Sequence, residues 1–331
     1  MLALSLLLLG LFSGQPQESN QTQQDEGFRI GVAVNQVFLS VNARSSTGGF
    51  VSGLIQEDLQ VYENGVKQEI LNFYSEGVPV NVVLLIDISG STRDAQGEIQ
   101  RAALGFARSL SDEDRVAIIT FNDAPRLILN WTNDTERVEL ALGSIYAKGS
   151  TVFNDALYVT FDDLLAKVEG KTAVIALTDG IDTNSMVEPE EIMDLAVRSE
   201  AMVYVVSKLE EYWAGAIAAR MAYQARAQLV PRVLKDPFII SAKRFLERLA
   251  QQTGGAVLDT KAFSSLSDVY SQVAEELKNQ YYISYIPSNI LKDGKWRDIE
   301  VRARRSGVVV STRPGYYAPL DSGDSPGGLT K

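Results

Sequence analysis

Four apolar runs recur along the middle of this chain: VNVVLLIDI (80–88), RVAIITF (115–121), TAVIALTD (172–179) and AMVYVVS (201–207). Each has the length of a strand, and its apolar residues are consecutive rather than alternate, as in strands buried on both faces. GAVLD (255–259) is a shorter candidate. Between the runs lie stretches with helical period: AQGEIQRAALGFARSL, NDALYVTFDDLLAKV and EPEEIMDLAVRSE. The last opens with a Pro and acids that suit a helix N-terminus. Apolar strands alternating with helices predict an α/β fold, a doubly wound and mostly parallel sheet covered by helices on both faces.

The flanks have a different period. FRIGVAVNQVFLSVNARSS alternates apolar and polar residues like a half-buried strand, and QVYENGVKQEI has the form of a hairpin turning at ENG. After residue 280 the pattern returns in NQYYISYIPS, WRDIEVRARR and GVVVSTRPGYY, with KDGK as a turn. The tyrosine pairs at 281–282 and 316–317 suit strands. Neither flank alone makes more than a thin core. Residues 28–76 and 281–318 are therefore expected to pair as a small antiparallel β-sandwich around an inserted domain at 79–280. Within that domain, 208–253 is longer than one crossover needs and reads as a helical insertion, either an elaborated surface or a partner-docking element.

The N-terminus reads MLALSLLLLGLFSG, an apolar core of signal-peptide length that is too short to span a bilayer, although no Lys or Arg precedes it. A signal peptide at 1–14, a disordered spacer at 15–27 and a disordered tail at 319–331 are expected. The protein is then exported, to the periplasm, cell envelope or outside, with no membrane insertion beyond the signal segment. A formal charge of −11 argues against nonspecific nucleic-acid binding, which needs cations to neutralise phosphates. The chain has no Cys and no His. Disulfides, thiolate zinc sites and the commonest general base are excluded, so any metal must be held by oxygen, as a hard cation is.

Such oxygens cluster where the first apolar run ends. Asp87, Ser89 and Ser91 occupy every second position in DISGS, in a loop entering a helix. In a doubly wound sheet, ligands bind beyond the carboxyl ends of the strands. Asp179 closes another buried run in LTDG, and Thr151 lies on the Gly-Ser loop of KGSTVFNDAL. Two carboxylates and three hydroxyls suit Mg²⁺ or Mn²⁺, with a remaining position for water or for a carboxylate from a partner. Asp87 and Ser89 are also helix-capping types, but capping needs one such residue and leaves Thr151 and Asp179 unexplained. Asp182 and Asn184 read as turn formers, and Arg93 and Asp94 as solvated surface.

Residues 79–280 resemble a von Willebrand factor A (VWA) domain, and DISGS matches its DxSxS metal-ion-dependent adhesion site (MIDAS). The resemblance implies that Asp87, Ser89, Ser91, Thr151 and Asp179 hold the metal. GSTVFNDAL stands where the family often has Gly-Gly-Thr, with Ser150 in place of the second glycine. Over roughly 28–318, including GLIQEDLQVYENGVKQEILNF, the chain is also similar to bacterial VWFA-related proteins of the Acidobacteria type, which implies a bacterial exported or envelope protein.

Enzymatic readings fare poorly. LLIDISGST superficially matches the haloacid-dehalogenase motif, yet Ser89 stands where that motif has its second acid. A Ser-His-Asp hydrolase needs a histidine, Ser91 has no activating lysine nearby, and GSTVFND lacks the ending of a phosphate-binding loop. The expectation is a non-enzymatic, divalent-cation-dependent module for protein binding or adhesion, whose partner presents an acidic residue. The alternative is a structural or assembly subunit of an envelope complex in which the metal supports the fold. A metal-dependent phosphoesterase stands third.

Overall fold

The computed structural model describes residues 36–178, 180–207 and 237–320. Residues 28–76 contribute four strands, β1 (Val37–Ser45), β2 (Leu59–Glu63), β3 (Val66–Gln68) and β4 (Ile70–Tyr74). Between β2 and β3, Asn64 and Gly65 have φ of 47° and 77°, the paired positive values of a two-residue hairpin turn. The chain then runs through β5 (Val80–Asp87), α1 (Gln96–Ser109), β6 (Arg115–Phe121), β7 (Pro125–Thr132), α2 (Thr135–Gly143) and α3 (Phe153–Tyr158). Next come β8 (Lys171–Thr178), α4 (Pro189–Arg198), β9 (Met202–Ser207), α5 (Pro237–Thr253), β10 (Ala256–Asp259) and α6 (Leu266–Lys278). The last strands are β11 (Tyr281–Tyr285), β12 (Trp296–Ala303), β13 (Val308–Ser311) and β14 (Gly315–Tyr317). The signal segment, the spacer, the start of the first expected strand, Asp179, most of the 208–253 insertion and the tail from 321 lie outside the described residues.

The central sheet has the order β10-β9-β8-β5-β6-β7 and is parallel except for β7, which runs antiparallel to β6. All eight residues of β5 are buried, with Val82, Leu84 and Ile86 on one face and Val83 and Leu85 on the other. The first face is covered by α1, α2 and α6 through Phe106, Leu142 and Tyr270; the second by α3, α4 and α5 through Phe153, Ile192 and Leu249. Each such side chain removed from water contributes roughly 1.5–3 kcal/mol. This is the doubly wound α/β fold expected from the runs.

Two elements carried no clear sequence signal, β7 and α2. A third departs from its helical period: α3 ends at Tyr158, widens into a π-helical turn at Val159–Leu164 and tightens into a 3-10 turn at Leu165–Lys167. The Thr160 hydroxyl donates to the Ala156 carbonyl at 2.7 Å, a back-bond of the kind that bends helices.

Two four-stranded antiparallel sheets, β13-β1-β11-β4 and β14-β12-β2-β3, enclose a second core that includes Leu39, Val41, Val61, Ile283 and Tyr285. β1 lies between β11 and β13, and β2 pairs with β12, so both flanks of the chain build this sandwich. Inside it, buried Glu63 accepts hydrogen bonds from the hydroxyls of Tyr285 at 2.8 Å and Tyr316 at 3.0 Å.

Buried polar groups join sandwich and α/β domain at the end of α6. Glu276 accepts hydrogen bonds from Asn42 and Arg44 of β1 and from the Tyr204 hydroxyl of β9. Removing it strands three donors, and breaking a buried pair costs more than forming it gains. Glu276→Ala is expected to lower the unfolding free energy by about 3 kcal/mol in urea titration.

Lys171, 4% exposed at the start of β8, donates from Nζ to the Leu277 carbonyl at 2.6 Å. Burial pushes its pKa down from 10.5 to about 8, against the opposing pull of Asp114. Between these values the unfolded chain holds a proton that the folded chain has released, so stability rises with pH. This contribution is complete above pH 10.5 and lost as pH falls through about 8. Urea unfolding at about pH 7.5 and about pH 9.5 should show a gain on the order of 1–2 kcal/mol that Lys171→Met abolishes.

Candidate metal site at the carboxyl edge of the sheet

Along the chain, strands are added on one side of β5 as β6 and β7 and then on the other as β8, β9 and β10. The carboxyl end of β5 is therefore the switch point of the sheet, where chain connections diverge and leave a crevice. Asp87 is the last residue of β5 and is fully buried. Its Oδ1 accepts the Ser89 amide at 2.8 Å, which turns the chain sharply out of the strand. A 3-10 turn at Gly90–Ala95 leads into α1. Ser89 is buried and Ser91 exposed, so the row of oxygens runs from the core to solvent.

Two further loops are fastened to this one. The Ile88 amide donates to the Phe121 carbonyl at 2.9 Å, the Lys148 amide to the Ile88 carbonyl at 2.8 Å and the Gly90 amide to the Gly149 carbonyl at 3.1 Å. These bonds lay the Lys148–Thr151 segment along DISGS. Thr151 is buried and held through its main chain: its amide donates to Thr183 Oγ1 at 3.1 Å, and its carbonyl accepts from the Thr183 amide at 3.0 Å. Both bonds spare the Thr151 hydroxyl. Thr183 in turn belongs to the loop that follows β8.

That third loop is anchored by two carboxylates. Asp182 accepts from the amides of Asn154, Asn184 and Ser185 and from the Ser185 hydroxyl. Asp155 accepts from the amides of Met186 and Val187 at 2.9 and 3.0 Å. Asp182 therefore does more than form a turn, since it also ties its loop to the start of α3. Arg93 and Asp94 are exposed.

Asp123 was not among the sequence candidates. It follows the carboxyl end of β6 as Asp87 ends β5, and the same end-of-strand reasoning would have found it. Its Oδ1 accepts both the hydroxyl and the amide of Ser150, at 2.6 and 2.8 Å. First the Ser150 hydroxyl bond and then the amide bond hold the Asp123 carboxyl below the usual carboxylate range. Ser150, the departure from Gly-Gly-Thr, is thus the residue that fastens the threonine loop to β6. Gly149 beside it has φ +83°, and a Cβ there would lie 2.5 Å from Asp123 Oδ2.

The structure thus brings Asp87, Ser89, Ser91 and Thr151 onto loops stitched together at one edge of the sheet; Asp179 lies outside the described residues. Among the described residues no cluster of three or more acidic side chains could hold a metal, so a cation at this edge would rely on hydroxyl oxygens. One observation tests the fit. The hydroxyls of Ser89 and Ser91 share a hydrogen bond at 2.9 Å, a separation equal to the roughly 2.9 Å between adjacent corners of an octahedron with bonds of about 2.05 Å. The donor set fits a small, octahedral, oxygen-seeking cation.

Residues 81–222 match the family model of the von Willebrand factor type A domain, so this stretch of the chain is a VWA domain. It is 24% identical over 313 residues to inter-alpha-trypsin inhibitor heavy chain H4 of Sus scrofa, a match covering 89% of this chain and 29% of that protein. The chain thus spans less than a third of its curated relative. Among solved structures, a von Willebrand factor type A protein from Catenulispora acidiphila shares 12% identity, covering 86% of this chain and 73% of that one, with a TM-score of 0.46. Proximal thread matrix protein 1 from the mussel byssus, with a zinc-occupied MIDAS motif, shares 15% identity, covering 65% and 49%, with a TM-score of 0.45. As a class, VWA domains are protein-interaction modules.

Gly149→Ala should strain the loop that carries Thr151. A left-handed non-glycine residue costs about 1–2 kcal/mol, and the added methyl must also displace the Asp123 carboxylate. A stability loss of at least about 1 kcal/mol in urea titration is expected, and Asp123→Gly in the same chain should recover part of it.

Proposed function

We propose that this protein is an exported, non-enzymatic binding module that grips a partner's acidic side chain through a divalent cation, Mg²⁺ or Mn²⁺, at the carboxyl edge of its central sheet. Asp87, Ser89, Ser91 and Thr151, with Asp179, would hold the cation. The observation that carries the reading is the stitching of the DISGS and Thr151 loops at the switch point, with two serine oxygens at octahedral spacing. When bound, the cation supplies a Lewis-acidic position for an incoming carboxylate. The chain's own residues supply the rest. Asp87 provides buried negative charge, Ser89 and Ser91 direct neutral oxygens outward, and Thr183, Asp182 and Asp123 fix the loops in place.

The β-sandwich would act as stalk or spacer, since it lies at the end of the α/β domain remote from the site. The apolar segment near the N-terminus supports export. No helix among the described residues is long and apolar enough to cross a membrane.

The test is calorimetric titration of the full chain with Mg²⁺ and Mn²⁺, alongside thermal melts. One saturable site is expected, lost in Asp87→Ala with the melting curve kept, and weakened roughly 10–100-fold in Thr151→Ala, by analogy with loss of a metal-supporting group. Absence of binding at millimolar metal would overturn the reading. Collapse of the Asp87→Ala fold would instead favour a structural metal in an assembly subunit.

A further inference from the structure

We propose that a cavity between β7 and the π-helical turn, with Arg115 at the end of β6 opposite Asp87, is a binding site for a small amphiphilic monocarboxylate, its apolar body against Trp131 and its carboxylate on Arg115. The cavity holds about 760 Å³, within the roughly 300–1,000 Å³ typical of small-molecule sites. Arg115 begins β6, and β6 ends at Phe121, the partner of Asp87. At about 3.3 Å per residue, Arg115 stands some 20 Å along the strand from the Asp87 end.

Two unrelated departures from regular structure face each other across this space. On one side, β7 is irregular: its register against β6 shifts twice, between Val116 and Ile118 and again between Ile118 and Ile119. The extra residues re-aim the strand, and the Trp131 amide is satisfied at 2.8 Å by the side chain of its neighbour Asn130. On the other side, the helix widens over Val159–Leu164, where the Leu165 amide bonds the Thr160 carbonyl five residues back. Strand bulges and π-turns each give up regular hydrogen bonding, and both concentrate at functional sites. Here both irregular segments line one cavity, contributing Leu127 and Trp131 from the strand and Val159 and Leu164 from the turn.

The chemistry of the lining specifies the ligand. Leu127 is 45% exposed and Trp131 partly buried, an uncovered apolar wall. Arg115 is poised beside it. Its Nε donates to Asn81 Oδ1 at 2.8 Å, and its guanidinium carbon lies 5.9 Å from the Trp131 ring centre. With Nε engaged and the plane steadied by the indole, the terminal nitrogens suit a carboxylate approached as a fork. Asp163 and Glu169 also line the cavity and offset Lys167 and Arg115, leaving the lining without net charge. That balance favours a ligand with one negative charge and a neutral body over a phosphate or a dicarboxylate. A neighbouring β-strand is a poorer occupant, because the register shifts break the straight edge that strand addition needs.

The proposal is independent of the metal site and is tested without metal. Dodecanoate, below its micelle concentration, is titrated calorimetrically into the full chain in EDTA, so that no cation can bind the carboxylate. Saturable binding of one molecule per chain is expected. Dodecan-1-ol, which lacks the charge, should bind roughly 10–100-fold more weakly, as should dodecanoate to Arg115→Met. Trp131→Ala should weaken both probes alike, with melts confirming the fold. Equal affinity for acid and alcohol would overturn the assignment, as would absence of saturable binding or uptake of many molecules per chain. Self-association of the wild type that Leu127→Asp abolishes would overturn it too, making the face an interface between copies.

Discussion

The two central strands of the sheet, β5 and β8, are buried along their whole length, so every side chain on either face must be covered by chain that leaves the sheet and returns. Parallel neighbours cannot be joined by a tight turn, and each return has to cross over as a helix. Three helices on each face meet that demand. The crossovers also dictate where polar groups can emerge, since the loops leaving the strands gather along one edge. Asp87 is the first acid after six apolar residues among seven, and no position further back in β5 could present a carboxylate to anything but the core.

The same logic explains the place of the sandwich. Its strands are half-buried and too few at either flank to enclose a core, so β1 needs β11 and β13, and β2 needs β12. Pairing the two flanks returns the chain to its starting point after the α/β domain, which places α6 directly before β11. The last turn of α6 is consequently held from several sides. Glu276 engages β1 and β9, Lys171 holds the Leu277 carbonyl, and Lys278 donates to the Ser109 carbonyl at the end of α1. Hydrogen bonds that satisfy buried charged groups penalise alternative dockings, which would leave those charges unsatisfied.

What was legible in the sequence follows from range. Consecutive apolar residues revealed β5, β6, β8 and β9, because burial on both faces leaves its mark at every position. The spacing of Asp87, Ser89 and Ser91 was legible because a single loop holds all three. β7 was not: RLILNW is neither alternating nor wholly apolar, and its register shifts remove the period that would have marked it. The π-turn hid within a good helical pattern, and periodicity does not register the Thr160 hydroxyl bond that accompanies it. Asp123 follows a buried strand as Asp87 ends one and was legible by that reasoning; its bond to Ser150, 27 residues away, was not, because local patterning carries no information over that distance.

The proposed donor set leaves room for a side chain from a partner. Octahedral coordination needs six oxygens, and the five proposed side chains, giving one each, would leave at least one position for another molecule. Ser91 is exposed, so that position would open toward solvent at the rim. The surrounding molecule carries a formal charge of −11, which opposes the approach of strongly anionic surfaces while a local cation attracts a single carboxylate. A partner that satisfies both presents one acidic side chain on a surface of otherwise neutral or basic character. Raising the salt concentration would then weaken the long-range repulsion and the rim contacts more than the desolvated contact at the cation.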